Sequence, residues 1–226
     1  MEYLRAAEML EFINEMGSQN QNDSFLRYIF LEIANGIHQV HKGGIAHRDI
    51  KLDNVMITED CEVKIIDFGF GKVLQGRKGT GFMSTFVGTE MYMAPEVLNK
   101  MEAYQGQDAD IFALGVLMLA TKIQDYPWIK PDITKAANIG YKHLAAEGGI
   151  NDEQFWAKYA DANASPEFKR LISGILAYQP SSRPTIADIL GDPWMRGPVM
   201  SKEDFAKICK PIVAKAVHCQ KTELIE

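Results

Sequence analysis

The sequence has little cysteine, no long apolar run and no excess of basic charge. Its three cysteines, Cys61, Cys209 and Cys219, are odd in number and scattered. This favours free thiols in a reducing, intracellular (cytoplasmic) compartment over a disulfide framework or a zinc site. The longest uncharged apolar run, Ile111 to Ala120, is too short to cross a bilayer, so we expect no membrane association. A net charge of −6 disfavours non-specific nucleic-acid binding.

The composition is that of an ordinary globular protein, enough for one large domain or at most two small ones. Of the 226 residues, 46% are hydrophobic and 24% are charged. Apolar spacing predicts a helix over residues 5–17 that ends at Gly17. It predicts a second helix, capped by Asp23 or Ser24, that ends at Gly43. A third helix follows Asp110 and is apolar on nearly every face, which predicts that it runs through the core.

Several shorter elements complete the pattern. "NVMIT" (54–58) and "CEVKIID" (61–67) predict two short strands around a turn. The stretch from Phe68 to Thr89 is rich in Gly, Lys, Ser and Thr, which predicts a long functional loop. "SPEFKRLISGILAY", with Ser165 as cap, and "TIADIL" predict helices further on.

Three ordered motifs carry the chemical signal. "HRDIKLDN" (47–54) places a basic residue, two carboxylates, a lysine and an amide close together, before "DFG" (67–69) and "APE" (94–96). The set resembles the catalytic loop, metal-binding turn and activation-segment end of eukaryotic protein kinases. Lys51, two places after Asp49, resembles the serine/threonine branch. The block "SPEFKRLISGILAYQPSSRPT" and the ending "PWM" are similar to the calcium/calmodulin-dependent group.

The resemblance implies the fold class and the domains. It covers residues 1–196 and implies a mainly α fold with a small β element. This would be a protein-kinase-like C-terminal lobe that starts near the interlobe hinge, with the N-terminal β-lobe absent. Residues 197–226 would form a C-terminal tail, which we expect to be helical.

The resemblance also implies ATP and Mg²⁺ as cofactors and assigns the site residues. Asp49 would accept or orient the proton of the attacking hydroxyl, and Lys51 would place positive charge beside the transferred phosphoryl group. Asn54 and Asp67 would supply oxygen ligands to magnesium, and Lys51 would also contact the nucleotide. Met56 lies where the family places an apolar floor under adenine.

Other residues match supporting positions of the family. Glu96 and Arg183 match a buried ion pair that braces the activation segment. Asp110 matches the aspartate that anchors the catalytic loop. Thr89 matches a threonine that contacts the catalytic aspartate. Arg48 implies control by activation-loop phosphorylation.

The phosphorylation would fall in "STFVGT". Thr85 is the expected site and Ser84 the next, with Arg48 and Lys72 as candidate partners of the phosphate.

Three patterns have simpler explanations. His38, His41 and His47 have no nearby cysteine, so helix-surface and loop roles are favoured over a metal site. The glycines of residues 69–82 lack the order of a phosphate-binding loop and fit an activation loop better. The tail resembles a calmodulin-target helix in its apolar face, but Pro211 interrupts it, and packing against the lobe is favoured.

Three possibilities remain open because no glycine-rich loop or strand lysine fits before residue 47. The first is a serine/threonine protein kinase that acts on protein substrates, seen here without its N-terminal lobe and therefore weak or inactive alone. The second is a one-lobed, non-catalytic docking or regulatory module. Complementation by a lobe from another chain is a third. Asp53 hints at basic residues upstream of the target hydroxyl, and the uncovered apolar face would need a partner.

Overall fold

A computed structural model describes residues 6–17, 22–73, 82–83, 88–99, 103–128 and 153–223. Within these ranges the fold is mainly helical with small antiparallel sheets, as the sequence predicts. The helices are α1 (Met9–Met16), α2 (Asp23–Lys42), α3 (Pro95–Leu98), α4 (Gly106–Ile123), α5 (Glu153–Lys158), α6 (Pro166–Ile175), α7 (Ile186–Gly191) and α8 (Lys202–Glu223). The strands are β1 (Ala6–Glu8), β2 (Ile45–Ala46), β3 (Val55–Thr58), β4 (Val63–Ile65), β5 (Lys72–Val73), β6 (Phe82–Met83) and β7 (Tyr104–Gln105).

The largest described sheet has the order β1-β3-β4 with antiparallel pairing throughout. Met56 in β3 pairs with Glu8 on one side and Lys64 on the other. Val55 and Ile57 are fully buried, so Met56 lies on the opposite face of the strand. The predicted helix over residues 5–17 is wrong at its start, because Ala6–Glu8 pair with β3 and form a strand.

Helices α2 and α4 form the centre of the core. The side chain of Asn22 accepts a hydrogen bond from the Phe25 N–H, so Asn22, and not Asp23 or Ser24, caps α2. Helix α4 begins at Gly106, four residues before Asp110, and is buried along most of its length. The core helix that the apolar pattern predicts is therefore present but longer.

The region between Phe68 and Thr89 is not a featureless loop where the structure describes it. Strand β5 pairs with β2, and β6 pairs with β7, each through two residues of antiparallel register. These short ladders connect the region to the start of the catalytic loop and to the start of α4. Ser84 and Thr85, the predicted phosphorylation sites, lie outside the described residues.

Helix α8 packs along β1, α1 and β3. Its buried side chains are Phe205, Cys209, Val213, Ala216 and Val217. The Phe205 ring stacks on Tyr28 with centroids 4.3 Å apart. The expected interruption at Pro211 is wrong, because the helix continues through it. Among the described residues, no helix combines the length and the apolar character that a membrane span needs.

Candidate active site

The carboxylate of Asp49 lies at the centre of a buried hydrogen-bond cluster. Asn54 Nδ2 donates to the Asp49 backbone oxygen at 2.8 Å and to Asp49 Oδ2 at 2.9 Å. Lys51 Nζ lies 3.0 Å from Oδ2, and the Thr89 hydroxyl donates to Oδ1 at 3.3 Å. Lys51 also donates to Thr89 at 3.2 Å. The structure thus brings together Asp49, Lys51, Asn54 and Thr89, four of the residues predicted from the sequence.

Asp110 of α4 holds the backbone that presents this cluster. Its carboxylate accepts from the N–H of His47 at 2.8 Å and from the N–H of Arg48 at 2.7 Å. Arg48 has a φ of 67°, a left-handed conformation that a non-glycine residue keeps only when its surroundings fix it. His41 Nε2 lies 2.9 Å from the same carboxylate. The core helix therefore fixes the loop immediately before Asp49.

Asp67 reaches the same end of the β3–β4 hairpin. The Ile66 N–H donates to the Asn54 backbone oxygen at 2.9 Å, which places residue 67 beside Asn54. Asp67 has a φ of 60°, and its Oδ1 accepts from the Gly69 N–H at 2.9 Å. A Cβ at Gly69 would lie 2.9 Å from that oxygen, so glycine at 69 lets the Asp67 carboxylate keep this position.

Asn54 and Asp67 have the donor chemistry that Mg²⁺ requires. The Asn54 amide nitrogen is held by Asp49, which orients the amide oxygen of Asn54. Asp67 is exposed, and the Gly69 N–H binds one of its carboxylate oxygens. Hard oxygen donors of this kind suit Mg²⁺, which keeps water or phosphate oxygens in its remaining positions. In the described part of the chain, no group of three or more His, Cys, Asp or Glu side chains has metal-binding geometry. The residues fit an open magnesium site and not a closed protein cage.

Arg183 and Glu96 form a buried bidentate ion pair. Nη1 and Nη2 of Arg183 each lie 2.7 Å from a carboxylate oxygen of Glu96. Arg183 also donates to the backbone oxygens of Ala177, Asp108 and Tyr178. The pair ties the end of the APE motif to the start of α4 and to the segment after α6.

The remaining predicted residues lie around this centre. Arg48 Nε donates to the Phe70 backbone oxygen at 2.7 Å, so its side chain reaches the segment after DFG. Asp53 is exposed beside Asn54. Phe68 lies against His47, with ring centroids 4.6 Å apart, but remains 47% exposed.

Sequence reasoning missed two supporting residues. His41 binds Asp110, and only its place at the end of α2, shortly before the HRD motif, could have indicated this. The Tyr92 hydroxyl accepts from the Leu52 N–H at 3.4 Å and lies 3.1 Å from the Tyr126 hydroxyl. Burial, reinforced by Tyr126, raises the pKa of Tyr92 far above its usual value, so the hydroxyl stays protonated.

The fold and this cluster define a class of protein. The protein kinase domain model matches residues 1–195, and the chain belongs to that family. The predicted resemblance to eukaryotic protein kinases of the serine/threonine type is confirmed.

Among curated proteins, the chain is similar to NUAK family SNF1-like kinase 1 of Homo sapiens. The two are 30% identical over 195 residues, which is 86% of this chain and 26% of that protein. It is also similar to CBL-interacting serine/threonine-protein kinase 13 of Arabidopsis thaliana, at 30% over 196 residues, 87% of this chain and 36% of that protein. Sperm motility kinase 3A of Mus musculus is 31% identical over 196 residues, 86% of this chain and 35% of that protein. The chain thus spans between about a quarter and just over a third of the length of these relatives.

Proposed function

We propose that this chain carries the catalytic C-terminal lobe of a serine/threonine protein kinase, which transfers the γ-phosphate of ATP to Ser or Thr hydroxyls of proteins. The observation that carries the proposal is the buried Asp49 carboxylate, which is held by Lys51, Asn54 and Thr89. A carboxylate fixed in this way is oriented before substrate arrives, as phosphoryl transfer requires.

Each group in the cluster has a separate task. Asp49 would accept a hydrogen bond from the substrate hydroxyl and take up its proton as the new P–O bond forms. Lys51, whose side chain is 22% exposed, would move from Asp49 to the negative charge on the transferred group. Asn54 and Asp67 would hold Mg²⁺, which when bound neutralises charge on the phosphate oxygens. Met56 would contact adenine from the face of β3 opposite Val55 and Ile57.

Regulation and substrate choice extend the proposal. Phosphorylation of Thr85, or of Ser84 next to it, would supply a dianion that the Arg48 guanidinium could bind. Asp53 is exposed beside the catalytic loop, and its charge would favour substrates with Arg or Lys upstream of the hydroxyl. The odd number and scattered positions of the three cysteines favour a protein that works inside the cell.

A docking or regulatory module is the second candidate, and exposed aromatic rings favour it. Phe68 is 47% and Phe70 is 42% exposed on the face that carries the DFG turn. The residues before 47 contain no glycine-rich loop. A partner that covers this face, either an N-terminal lobe or another protein, would bury these rings and close the nucleotide site.

The test is phosphate transfer by the protein at its native length. We would measure transfer from radiolabelled ATP to a panel of Ser/Thr peptides, with and without basic upstream residues. Asp49→Asn should reduce the rate by roughly 10³-fold or more, because the oriented base is lost. Asp60→Asn, an exposed change in the turn after β3, should leave the rate unchanged.

Two results would contradict the proposal. One is a rate that survives Asp49→Asn. The other is no transfer by the native-length protein, together with stoichiometric binding to a complete kinase, which would establish the docking module instead.

A further inference from the structure

A pocket of about 170 Å³ lies between α1, the catalytic loop and the C-terminal end of α4. Leu10 and Ile13, three residues apart on α1, line one side of it. Leu52 of the catalytic loop and Ala120 of α4 line the others. None of the described lining residues belongs to the hydrogen-bond cluster around Asp49, so the pocket is separate from the proposed phosphoryl-transfer site.

The inner walls of the pocket are apolar. Ile13 and Ala120 are each 4% exposed and Leu52 is 3% exposed, and Leu10 packs against the same core. A cavity of about 150 Å³ lined by aliphatic side chains can hold a benzene ring. This pocket therefore has the size and the lining that suit one aromatic ring, whose transfer out of water is favourable.

The mouth of the pocket is polar and carries one sign of charge. Asn14 on α1, together with Gln124 and Asp125 just after α4, lines the pocket and is exposed. Among the described lining residues, Asp125 is acidic and none is basic. An apolar interior with a carboxylate at its mouth is complementary to a ligand that has an apolar body and a cationic end.

The carboxylate of Asp125 has capacity for a further donor. Its Oδ1 accepts from the Tyr126 N–H at 2.8 Å, and its Oδ2 accepts from the Tyr159 hydroxyl at 3.2 Å. Lys158 Nζ lies 3.9 Å from Oδ2, and because the lysine side chain is 67% exposed, this ion pair is weak. A carboxylate offers about four acceptor positions, so a ligand ammonium group can bind Asp125 without displacing these partners.

We propose that this pocket binds a small molecule made of one aromatic ring and a short alkylammonium chain, such as phenethylamine. The ring would lie between Ile13, Leu52 and Ala120, where it is removed from water. The ammonium group would donate to the Asp125 carboxylate and to the amide oxygen of Asn14. This inference does not depend on phosphoryl transfer.

The pocket adjoins the catalytic loop through Leu52. The Leu52 N–H donates to the Tyr92 hydroxyl at 3.4 Å, and that hydroxyl lies 3.1 Å from the hydroxyl of Tyr126. Leu52 and Tyr126 both line the pocket, so a bound ligand would contact the two ends of this hydrogen-bonded bridge. An occupied pocket would therefore favour the observed position of Leu52 in the catalytic loop.

The test is an NMR titration of the 226-residue chain, with labelled Ile and Leu methyl groups, against phenethylamine. We expect saturable shifts of the Leu10, Ile13 and Leu52 methyl signals. The Kd should be on the order of 1 mM, as befits a ligand of about nine non-hydrogen atoms. The neutral alcohol with the same ring and chain should bind roughly two- to fivefold more weakly, because it lacks the charge that pairs with Asp125.

Three variants locate the binding site. Asp125→Asn keeps the size of the side chain but removes its charge, so it should abolish the preference for the amine over the alcohol. Asp60→Asn, an exposed change in the turn after β3, is the matched control and should keep that preference. Ala120→Leu adds apolar atoms where the ring would lie, so it should weaken both ligands by roughly tenfold or more.

Two results on the wild-type chain would overturn the proposal without relying on any variant. One is the absence of saturable shifts at Ile13 and Leu52 at amine concentrations roughly tenfold above the expected Kd. The other is equal binding of the amine and the alcohol, because Asp125 would then not select a cation. Binding that survives Ala120→Leu unchanged would also contradict it, because the ring would then lie elsewhere.

Discussion

Single charged residues in this protein are held by specific hydrogen-bond and ion-pair partners. Asp23, in the first turn of α2, accepts from Lys122 Nζ at 2.9 Å and from the Trp194 indole N–H at 3.0 Å. The Lys122 side chain is only 2% exposed, so its charge depends on Asp23. One carboxylate thereby connects α2, α4 and the end of the kinase domain.

This arrangement predicts a pH dependence of stability. Burial alone would raise the pKa of Asp23, but Lys122, Trp194 and Arg27 outweigh burial and lower it below 3.8. Because the folded pKa is the lower one, the stabilisation is present above pH 3.8 and is lost as pH falls through the folded value. Asp23→Asn should abolish this part of the acid dependence and lower stability at pH 7. Urea unfolding at a series of pH values measures both effects.

The control for this prediction is Asp60→Asn, which changes an exposed aspartate in a turn. It should keep the acid dependence of the wild type. If Asp23→Asn and the wild type lost stability in parallel below pH 4, the contribution assigned to Asp23 would be wrong.

At the scale of elements, the contact between α4 and α6 depends on one glycine. A Cβ at Gly115 would lie 2.5 Å from Ile175 Cγ2 and 2.8 Å from Leu176 Cδ2. Glycine here permits close approach of the two segments, at some cost in helix propensity. Gly174 in α6 differs, because a Cβ there would meet nothing within 4 Å.

These two glycines give a matched pair of variants. Gly115→Ala should destabilise the protein by about 1–3 kcal/mol, because overpacking outweighs the gain in helix propensity. Gly174→Ala should instead stabilise it by about 0.5–1 kcal/mol. Chemical denaturation of the two variants checks the signs. Equal effects of the two changes would show that close packing does not select glycine at 115.

The sequence predicted which helices and strands exist better than it predicted the residues at which they begin and end. Ser165 caps α6 through the Phe168 N–H as expected, because a local Ser-Pro signal determines this start. Ala6–Glu8 were missed because strand formation there depends on pairing with Met56–Thr58, which no local pattern reveals. Helix α8 continues through Pro211 because packing against the sheet compensates for the missing N–H.

The active-site cluster was predictable for a different reason. The chemistry of Asp49, Lys51 and Asn54 depends on side-chain types at fixed spacing, which the sequence contains directly. The contribution of His41 was missed, since it depends on how α2 packs beside Asp110 of α4. The side-chain types and spacing of Asp49, Lys51 and Asn54 are therefore visible in the sequence, whereas the contact of His41 is not.

At the scale of the whole molecule, the described residues form one wall of the proposed nucleotide site. The sequence before residue 47 offers no glycine-rich loop and no matching strand lysine. Two charge-assisted phosphate contacts contribute about 3–6 kcal/mol to binding free energy. We therefore expect the purified 226-residue chain to bind Mg-ATP roughly 10²- to 10⁴-fold more weakly than a two-lobed kinase.

Calorimetric titration with ATP and Mg²⁺ measures this affinity. Asp67→Asn, which removes the carboxylate but keeps the size of the side chain, should weaken the residual binding further. Tight Mg-ATP binding by the 226-residue chain, with robust Asp49-dependent turnover, would show that residues 1–226 supply everything the reaction needs.

The contact of Arg27 with the end of the kinase domain has a mechanical consequence. Arg27 donates to the backbone oxygens of Trp194 and Pro198, and a Cβ at Gly197 would lie 2.6 Å from its guanidinium carbon. Tension applied to the C-terminus would therefore detach α8 first and then act on these hydrogen bonds of Arg27. The hydrogen bonds of Arg27 would then hold residues 194–198 on α2 after α8 had left.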